Sequence, residues 1–369
     1  MAIRRLRIQE LRNLRQVELE LSRLNVLAGP NGSGKTSVLE AVYLLGSGRS
    51  FRSVRLEPVI NHDAERCVVH GSVESGPTAA VASMGVARDR GGAFEARMNG
   101  KSVSSAAELA RALPVQLINS ESFALLEGGP KSRRQFLDWG VFHVEQAFHA
   151  VWVEVQRSLR QRNALLRHAR LASDELEAWD SRLSTSAGHL DGLRRGYFEQ
   201  FRPLFLKTLS ELTPLEGLEL SYHRGWDRER SLNEVLSEQV ERDRERGFTG
   251  SGPHRADIRL RFQGQNASEI LSRGQQKLVV CALKVAQARL FRSLTGRECV
   301  FLVDDLPAEL DRGHRSTLCG LLDALGCQVL ISCVDAADLQ GCWGAGMRED
   351  LTVFHVEHGL PSRFAQVGL

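Results

Sequence analysis

Residues Gly29-Pro30-Asn31-Gly32-Ser33-Gly34-Lys35-Thr36 spell a complete phosphate-binding loop, and their flanks decide what must surround it. Leu24-Asn25-Val26-Leu27 reads as a buried strand ending at Ala28, and the stretch after the loop keeps apolar residues at helical spacing through Leu45. Strand, loop and helix in that order are what the motif needs. Its glycines let backbone amides turn inward on phosphate, and the following helix presents its positive end. Lys35 is expected to reach the β and γ phosphates of a nucleotide and Thr36 to ligate Mg²⁺. The expected architecture is therefore an α/β core around a strand that ends on this loop.

With 369 residues, 42% hydrophobic and 25% charged, the chain is ordinary globular material of about two cores. The N-terminal stretch alternates charges with isolated apolar residues, unlike a signal peptide, and no segment reaches membrane-spanning length. Seven cysteines, an odd number without a CxxC pair, argue against a disulfide framework or a zinc site and suggest a reducing, cytoplasmic setting. A net charge of +3 does not announce nucleic acid, so any basic surface has to be local.

Along the chain, Ile3 to Leu21 alternates apolar and polar residues in two runs separated by Arg12-Asn13, a strand, a turn and a strand. Arg66 to Met98 reads as a small antiparallel sheet region. Beyond Pro130 the period becomes helical: Phe148, Val151, Val155, Leu159, Leu166 and Ala169 share one face, and Leu176, Trp179, Leu183, Leu190, Tyr197 and Phe201 another. Arg162 interrupts the first stripe, so two antiparallel helices in a compact lobe are expected rather than a long coiled coil. A helix from Gln275 to Leu294 and two apolar strands then restore α/β alternation. The partition expected is residues 1–110 as the N-terminal part of an ATPase head, 111–245 as a mainly helical arm, and 246–369 as the C-terminal part of the head.

The second half of a nucleotide site is the strand Val300 to Val303 with Asp304-Asp305 at its end. Asp304 is expected to hold the metal's shell and Asp305 to polarise the attacking water. Leu271-Ser272-Arg273-Gly274-Gln275-Gln276 opens the long helix and resembles the signature of ABC ATPases. Ser272 at a helix start can also be a plain N-cap. The ABC resemblance implies that Ser272, Gly274 and Gln275 face nucleotide bound to a second copy. It also makes Ala308-Glu309-Leu310-Asp311 a D-loop along that interface, with Asp311 near the nucleotide.

Leu125-Leu126-Glu127-Gly128-Gly129-Pro130 with Arg133-Arg134 and Phe136-Leu137-Asp138, then Gly252-Pro253-His254-Arg255-Ala256-Asp257, then Asp304-Asp305 followed by His314 and Leu318, together resemble the RecF family over nearly the whole chain. The resemblance implies an ABC-type head with a helical insertion lobe, and ATP and Mg²⁺ as ligands. It further implies an ATP-dependent homodimer on gapped or single/double-strand junction DNA in recombinational repair, weak DNA-stimulated hydrolysis, RecR and RecO as partners, and no membrane. Related heads place an Arg-Asn pair beside the nucleotide, a position Arg12-Asn13 match; a turn between strands accounts for them equally well.

This sequence departs from relatives in places. Ser120-Glu121 stands where many RecF sequences carry proline before the acid, and Ser332-Cys333-Val334-Asp335 lacks the switch histidine of transporter ATPases. Asp305 replaces the glutamate usual in transporters, which makes slow turnover the expectation. Gln116 is a candidate Q-loop residue. Arg49, Arg52 and Arg55 with Phe51 suit DNA phosphates and stacking, or simply form a solvated helix end. Arg4, Arg5 and Arg7 are further basic candidates, while Arg133-Arg134 suit internal acids. The rival reading is a structural SMC-type head, disfavoured by the short insertion. A transporter ATPase lacks its histidine here, and a small-molecule kinase leaves the signature unexplained.

Overall fold

The computed structural model describes residues 1–55, 57–74, 81–167, 173–343 and 350–363. Ala169, placed on a helical face above, lies outside the described residues. The chain divides into two compact units, one of residues 1–122, 211–213 and 277–369, the other of 123–210 and 214–276.

In chain order the first unit contributes strands β1 (Ala2–Leu11), β2 (Leu14–Glu20) and β3 (Leu24–Ala28), then helix α1 (Lys35–Ser47). Strands β4 (Arg66–Glu74), β5 (Ala82–Asp89), β6 (Phe94–Met98) and β7 (Lys101–Ser102), helix α2 (Ala106–Ala112) and strand β8 (Val115–Ile118) follow. The second unit holds helices α3 (Ala124–Glu127), α4 (Pro130–Val144), α5 (Phe148–Leu166) and α6 (Ser173–Leu212) and strand β9 (Leu218–His223). It continues with α7 (Leu232–Glu238), α8 (Val240–Arg246), β10 (Asp257–Phe262), β11 (Gln265–Asn266) and α9 (Ala267–Ile270). Helix α10 (Arg273–Thr295) carries the chain back into the first unit. There follow β12 (Val300–Val303), α11 (Leu306–Glu309), α12 (Arg312–Ala324), β13 (Gln328–Cys333), β14 (Leu351–Glu357) and β15 (Leu360–Arg363).

Two six-stranded sheets build the first unit, in the orders β2-β1-β4-β5-β6-β7 and β15-β14-β3-β13-β12-β8. The first is antiparallel throughout, and its outer face stays polar. Arg4, Arg5 and Arg7 stand there in ion pairs with Glu74, Glu20 and Glu18, the bland role for alternating charge. Inward residues Ile3, Leu6, Ile8 and Leu11 of β1 are fully buried and share one core with Val38, Leu39, Val42 and Leu45 of α1. In the second sheet β14, β3, β13, β12 and β8 run parallel, and only β15 is antiparallel. Its central strands are buried on every residue, as parallel strands covered on both faces must be. Parallel pairing brings the carboxyl ends of β3, β13, β12 and β8 to one edge, and there the motifs converge.

In the second unit α5 and α6 are cross-linked by Arg182 to Glu154 and Arg162 to Asp180, pairs that run in opposite chain directions. Arg162 does not break the stripe by pointing outward. It is fully buried, bonding Asp180 at 2.6 Å, Asp243 at 2.7 Å and Thr249 Oγ1 at 3.0 Å. A buried guanidinium needs such partners, and they tie α5, α6 and α8 together. Arg133 and Arg134 likewise turn to partners within their own unit, Asp257 and the carbonyl of Ala256. No helix among the described residues is long and apolar enough to cross a membrane.

Candidate nucleotide site

The loop between β3 and α1 bends only because its glycines permit it. At Gly29, φ is +153°, and a Cβ there would lie 2.2 Å from the Val356 carbonyl oxygen of neighbouring β14. The Gly29 amide donates to Val334 O at 3.1 Å, past the end of β13. From the other side the turn joining β14 to β15 closes on the loop: Gly359 N donates to Ser33 O at 2.8 Å. A Cβ on Gly359 would sit 2.2 Å from Asn13 O. The C-terminal hairpin thus braces the loop, a contribution no motif advertised.

Inside the loop Lys35 Nζ donates to Gly29 O at 2.7 Å and Pro30 O at 2.8 Å. Burial lowers its pKa, while the carboxylates of Asp305 and Asp304 act the other way. Ser33 Oγ is buried without a hydrogen-bond partner. A buried cation bonded to two loop carbonyls and an orphaned hydroxyl on one glycine loop fit an oxygen-rich anion.

Opposite stands the end of β12. Thr36 Oγ1 donates to Asp304 Oδ1 at 2.9 Å and lies 3.2 Å from Oδ2, while Ser332 Oγ donates to Oδ1 at 2.6 Å. The same Ser332 oxygen accepts the amide of Asp305 at 2.8 Å. Asp305 has φ +53°, a left-handed conformation uncommon for a residue with a side chain. Its pKa is raised by burial and then by Asp304, against the pull of Lys35. Hydroxyl and carboxylate oxygens side by side are the hard donors Mg²⁺ takes, so the residues present fit that ion.

A cleft of about 1020 Å³ gathers Asn31, Gly32, Gly34, Lys35, Thr36, Asp304 and Asp305 with Arg12, Asn13 and Ser332. Asn13 Nδ2 donates to Gly32 O at 3.3 Å and Asn13 Oδ1 accepts from Ser37 Oγ at 3.1 Å, so the β1–β2 turn is part of the wall. Arg12 grips the fully buried Glu40 of α1 at 2.8 and 2.9 Å. Of the three loop arginines, Arg52 lines this cleft, 3.6 Å from Glu40, whereas Arg49 and Arg55 are exposed beyond it. Gln116 lies on β8, buried and bonded to Gln287 at 2.8 Å; Ser120, just past the strand, lines the cleft. Asp311 caps α12, accepting from His314 N at 3.1 Å, and is largely exposed.

Ser272, Gly274 and Gln275 belong to the other unit. Ser272 Oγ accepts from Gln275 N at 3.3 Å and Gln275 Oε1 from Ser272 N at 2.9 Å, a reciprocal capping box at the start of α10. The cap role is therefore real. Ser272 and Gly274 are nonetheless exposed, and nothing lies within 4 Å of a Cβ placed on Gly274, so the helix start stays open to an anion.

Ser332, Glu40 and the hairpin turn at Gly359 escaped the sequence reading. The role of Ser332 depends on β13 lying beside β12, which no local motif encodes.

Residues 2–360 match the RecF/RecN/SMC N terminal domain family. The chain is 54% identical over 360 residues to the DNA replication and repair protein RecF of Stutzerimonas stutzeri (strain A1501), covering 97% of this chain and 96% of that one. Its fold is like that of the recombination mediator protein RecF with ATP, of the RecFOR pathway, with TM-score 0.87 at 24% identity over 98% and 97% of the two chains. An Smc head bound to the C-winged helix domain of ScpA is less similar, with TM-score 0.58 at 13% identity over 99% and 98%.

Proposed function

Because the chain belongs to the RecF family of DNA replication and repair proteins, we propose that it acts as an ATP-gated clamp on DNA, closing as a homodimer at gapped or single/double-strand junctions and helping to load a recombinase. The observation that carries this reading is the meeting of Lys35, Thr36 and Asp304 at one sheet edge, with Thr36 Oγ1 2.9 Å from Asp304. Gly29 to Gly34 and Lys35 hold the phosphates, and Thr36 with Asp304 holds Mg²⁺. The ion, when bound, offsets phosphate charge. Asp305 takes the role of orienting and deprotonating water; burial and Asp304 raise its proton affinity toward what a base requires. Arg12 and Asn13 wall the nucleotide, and Asp311 belongs to the segment that meets the second copy.

Closure is assigned to Ser272, Gly274 and Gln275, whose exposed helix start caps the nucleotide of the other copy. Each site is then complete only in the dimer, so ATP stabilises association by mass action. Hydrolysis is weak, stimulated by DNA, and sets how long the clamp stays shut. Arg49, Arg52 and Arg55 contact DNA phosphates. RecR and RecO are the partners by family, and the cytoplasm is the setting. The partition into a head of residues 1–110 and 246–369 and an arm of 111–245 follows the motifs; by packing, residues 111–122 with β8 go with the phosphate-binding loop and 246–276 with the other unit. An SMC-type structural role is the weaker reading, since the likeness to an Smc head is the lower of the two.

The test is anisotropy of labelled gapped duplex with ATP·Mg²⁺, ADP and no nucleotide, for the natural chain and Lys35→Met. Retention of DNA that needs ATP and fails in Lys35→Met supports the clamp. Equal binding in all three conditions overturns it.

A further inference from the structure

We propose that Glu40 is a positioning residue that ties the nucleotide cleft to the Arg49–Arg55 loop, so that nucleotide at one is felt as a change of conformation at the other. The inference rests on the reading of the cleft as a nucleotide site. Glu40 sits on the phosphate-loop helix with none of its surface exposed. A buried carboxylate demands compensation, and here one carboxylate serves two guanidinium groups unequally. Arg12 takes it in a full fork, Nη2 to Oε1 at 2.8 Å and Nε to Oε2 at 2.9 Å. Arg52 stands off at 3.6 Å from Oε2. Both arginines also line the cleft.

A third partner links the acid to the loop's backbone. Ser50 Oγ donates to Glu40 Oε1 and accepts the amides of Arg52 and Ser53, each at 3.0 Å. The loop's turn is therefore built on Glu40, while its tip is free: Val54 is fully exposed and Arg52 is 43% exposed.

The consequence follows from charge balance. An anion in the cleft attracts the guanidinium of Arg12, and whatever part of that fork it takes leaves Glu40 undercompensated in a low-dielectric site. Arg52 is the nearest cation able to restore the balance, and closing the gap carries Ser50 and the turn with it. Nucleotide thus redraws the loop, and by reciprocity a ligand that holds Arg52 outward alters nucleotide affinity by the same factor.

The experiment is amide exchange of residues 49–55 by mass spectrometry on the full chain, with and without ADP·Mg²⁺, for the natural protein, Glu40→Gln, Ser50→Ala, Arg52→Ala and Arg52→Lys. ADP avoids closure of the dimer. Exchange in the natural loop should change by about threefold or more on adding nucleotide. Read at saturating ADP·Mg²⁺, Glu40→Gln and Arg52→Ala should lose the response, and Arg52→Lys, which keeps the charge, should retain it. Ser50→Ala leaves the Arg12–Glu40 pair intact, so it folds even if Glu40→Gln does not, and its loop should exchange faster and respond less. A loop that responds in Glu40→Gln or Ser50→Ala as in the natural chain overturns the inference alone. A natural chain that binds no nucleotide overturns the reading of the cleft, and the inference with it.

Discussion

Thr36 Oγ1 and Asp304 Oδ1 lie 2.9 Å apart although 268 positions separate them in the chain. The contact exists because β3 and β12 flank β13 in parallel and so end at the same edge. One residue lies at the start of a helix and the other just after a strand, and the sheet order alone sets their oxygens side by side.

Asp304→Asn keeps the shape and removes the charge. Nucleotide affinity should lose its dependence on Mg²⁺, and hydrolysis should fall by about 10²-fold or more, as when a group that stabilises developing charge is removed. Titrating a fluorescent ATP analogue with and without Mg²⁺ checks this. Undiminished metal dependence would move the ion elsewhere.

Ser332 holds both acids, donating to Asp304 and accepting the amide of Asp305. Ser332→Ala should leave nucleotide affinity within about threefold and lower the hydrolysis rate by about tenfold, because Asp305 loses the contact that fixes its strained backbone. Steady-state rates against binding constants separate the two effects.

His254 donates from Nε2 to Thr249 O at 3.0 Å, and its buried Nδ1 has no partner. Burial lowers its pKa from 6.5 to about 4. The unfolded chain therefore takes up a proton that the folded chain refuses. The stabilisation from a neutral His254 is complete above pH 6.5 and is lost as pH falls toward 4, by about 3 kcal/mol at about 1.4 kcal/mol per unit. Urea midpoints from pH 7 to 4.5 should fall less steeply in His254→Gln; parallel slopes would assign the acid sensitivity to other groups.

Arg162 stands between Asp180 and Asp243 with no exposed surface. Arg162→Leu strands two buried carboxylates and should cost about 3–5 kcal/mol at neutral pH. Burial already raises the pKa of Asp180 against the pull of Arg162, so without the guanidinium stability should partly return as pH falls and this acid protonates. Denaturation of the variant at pH 7 and pH 5 reads the sign directly.

Much of the site was legible because its motifs are local. Gly29 to Thr36 needs only a preceding strand and a following helix, and Asp304-Asp305 only a strand end. Ser332 was not legible, because nothing in its neighbourhood says that β13 lies between β3 and β12. Glu40 is the single acid of a largely apolar helix, and only the folded turn at Arg12 and loop at Ser50 give it a purpose. Arg162 looked like an interruption for a related reason: its acids come from residues 18 and 81 positions away. Periodicity reports which face is buried, and pairing across such distances lies beyond it. At Ser272 the two readings are not exclusive, since the hydroxyl caps its helix through Gln275 while that helix start remains exposed.

The central claim is closure of two copies on ATP, and its most direct test is molar mass by light scattering without nucleotide, with ADP and with ATP·Mg²⁺, for the natural chain, Ser272→Arg and Lys35→Met. The account predicts a doubling from the 41.0 kDa chain in ATP·Mg²⁺ alone, absent from both variants. A mass that ignores ATP, or a doubling that survives in Ser272→Arg, would contradict it.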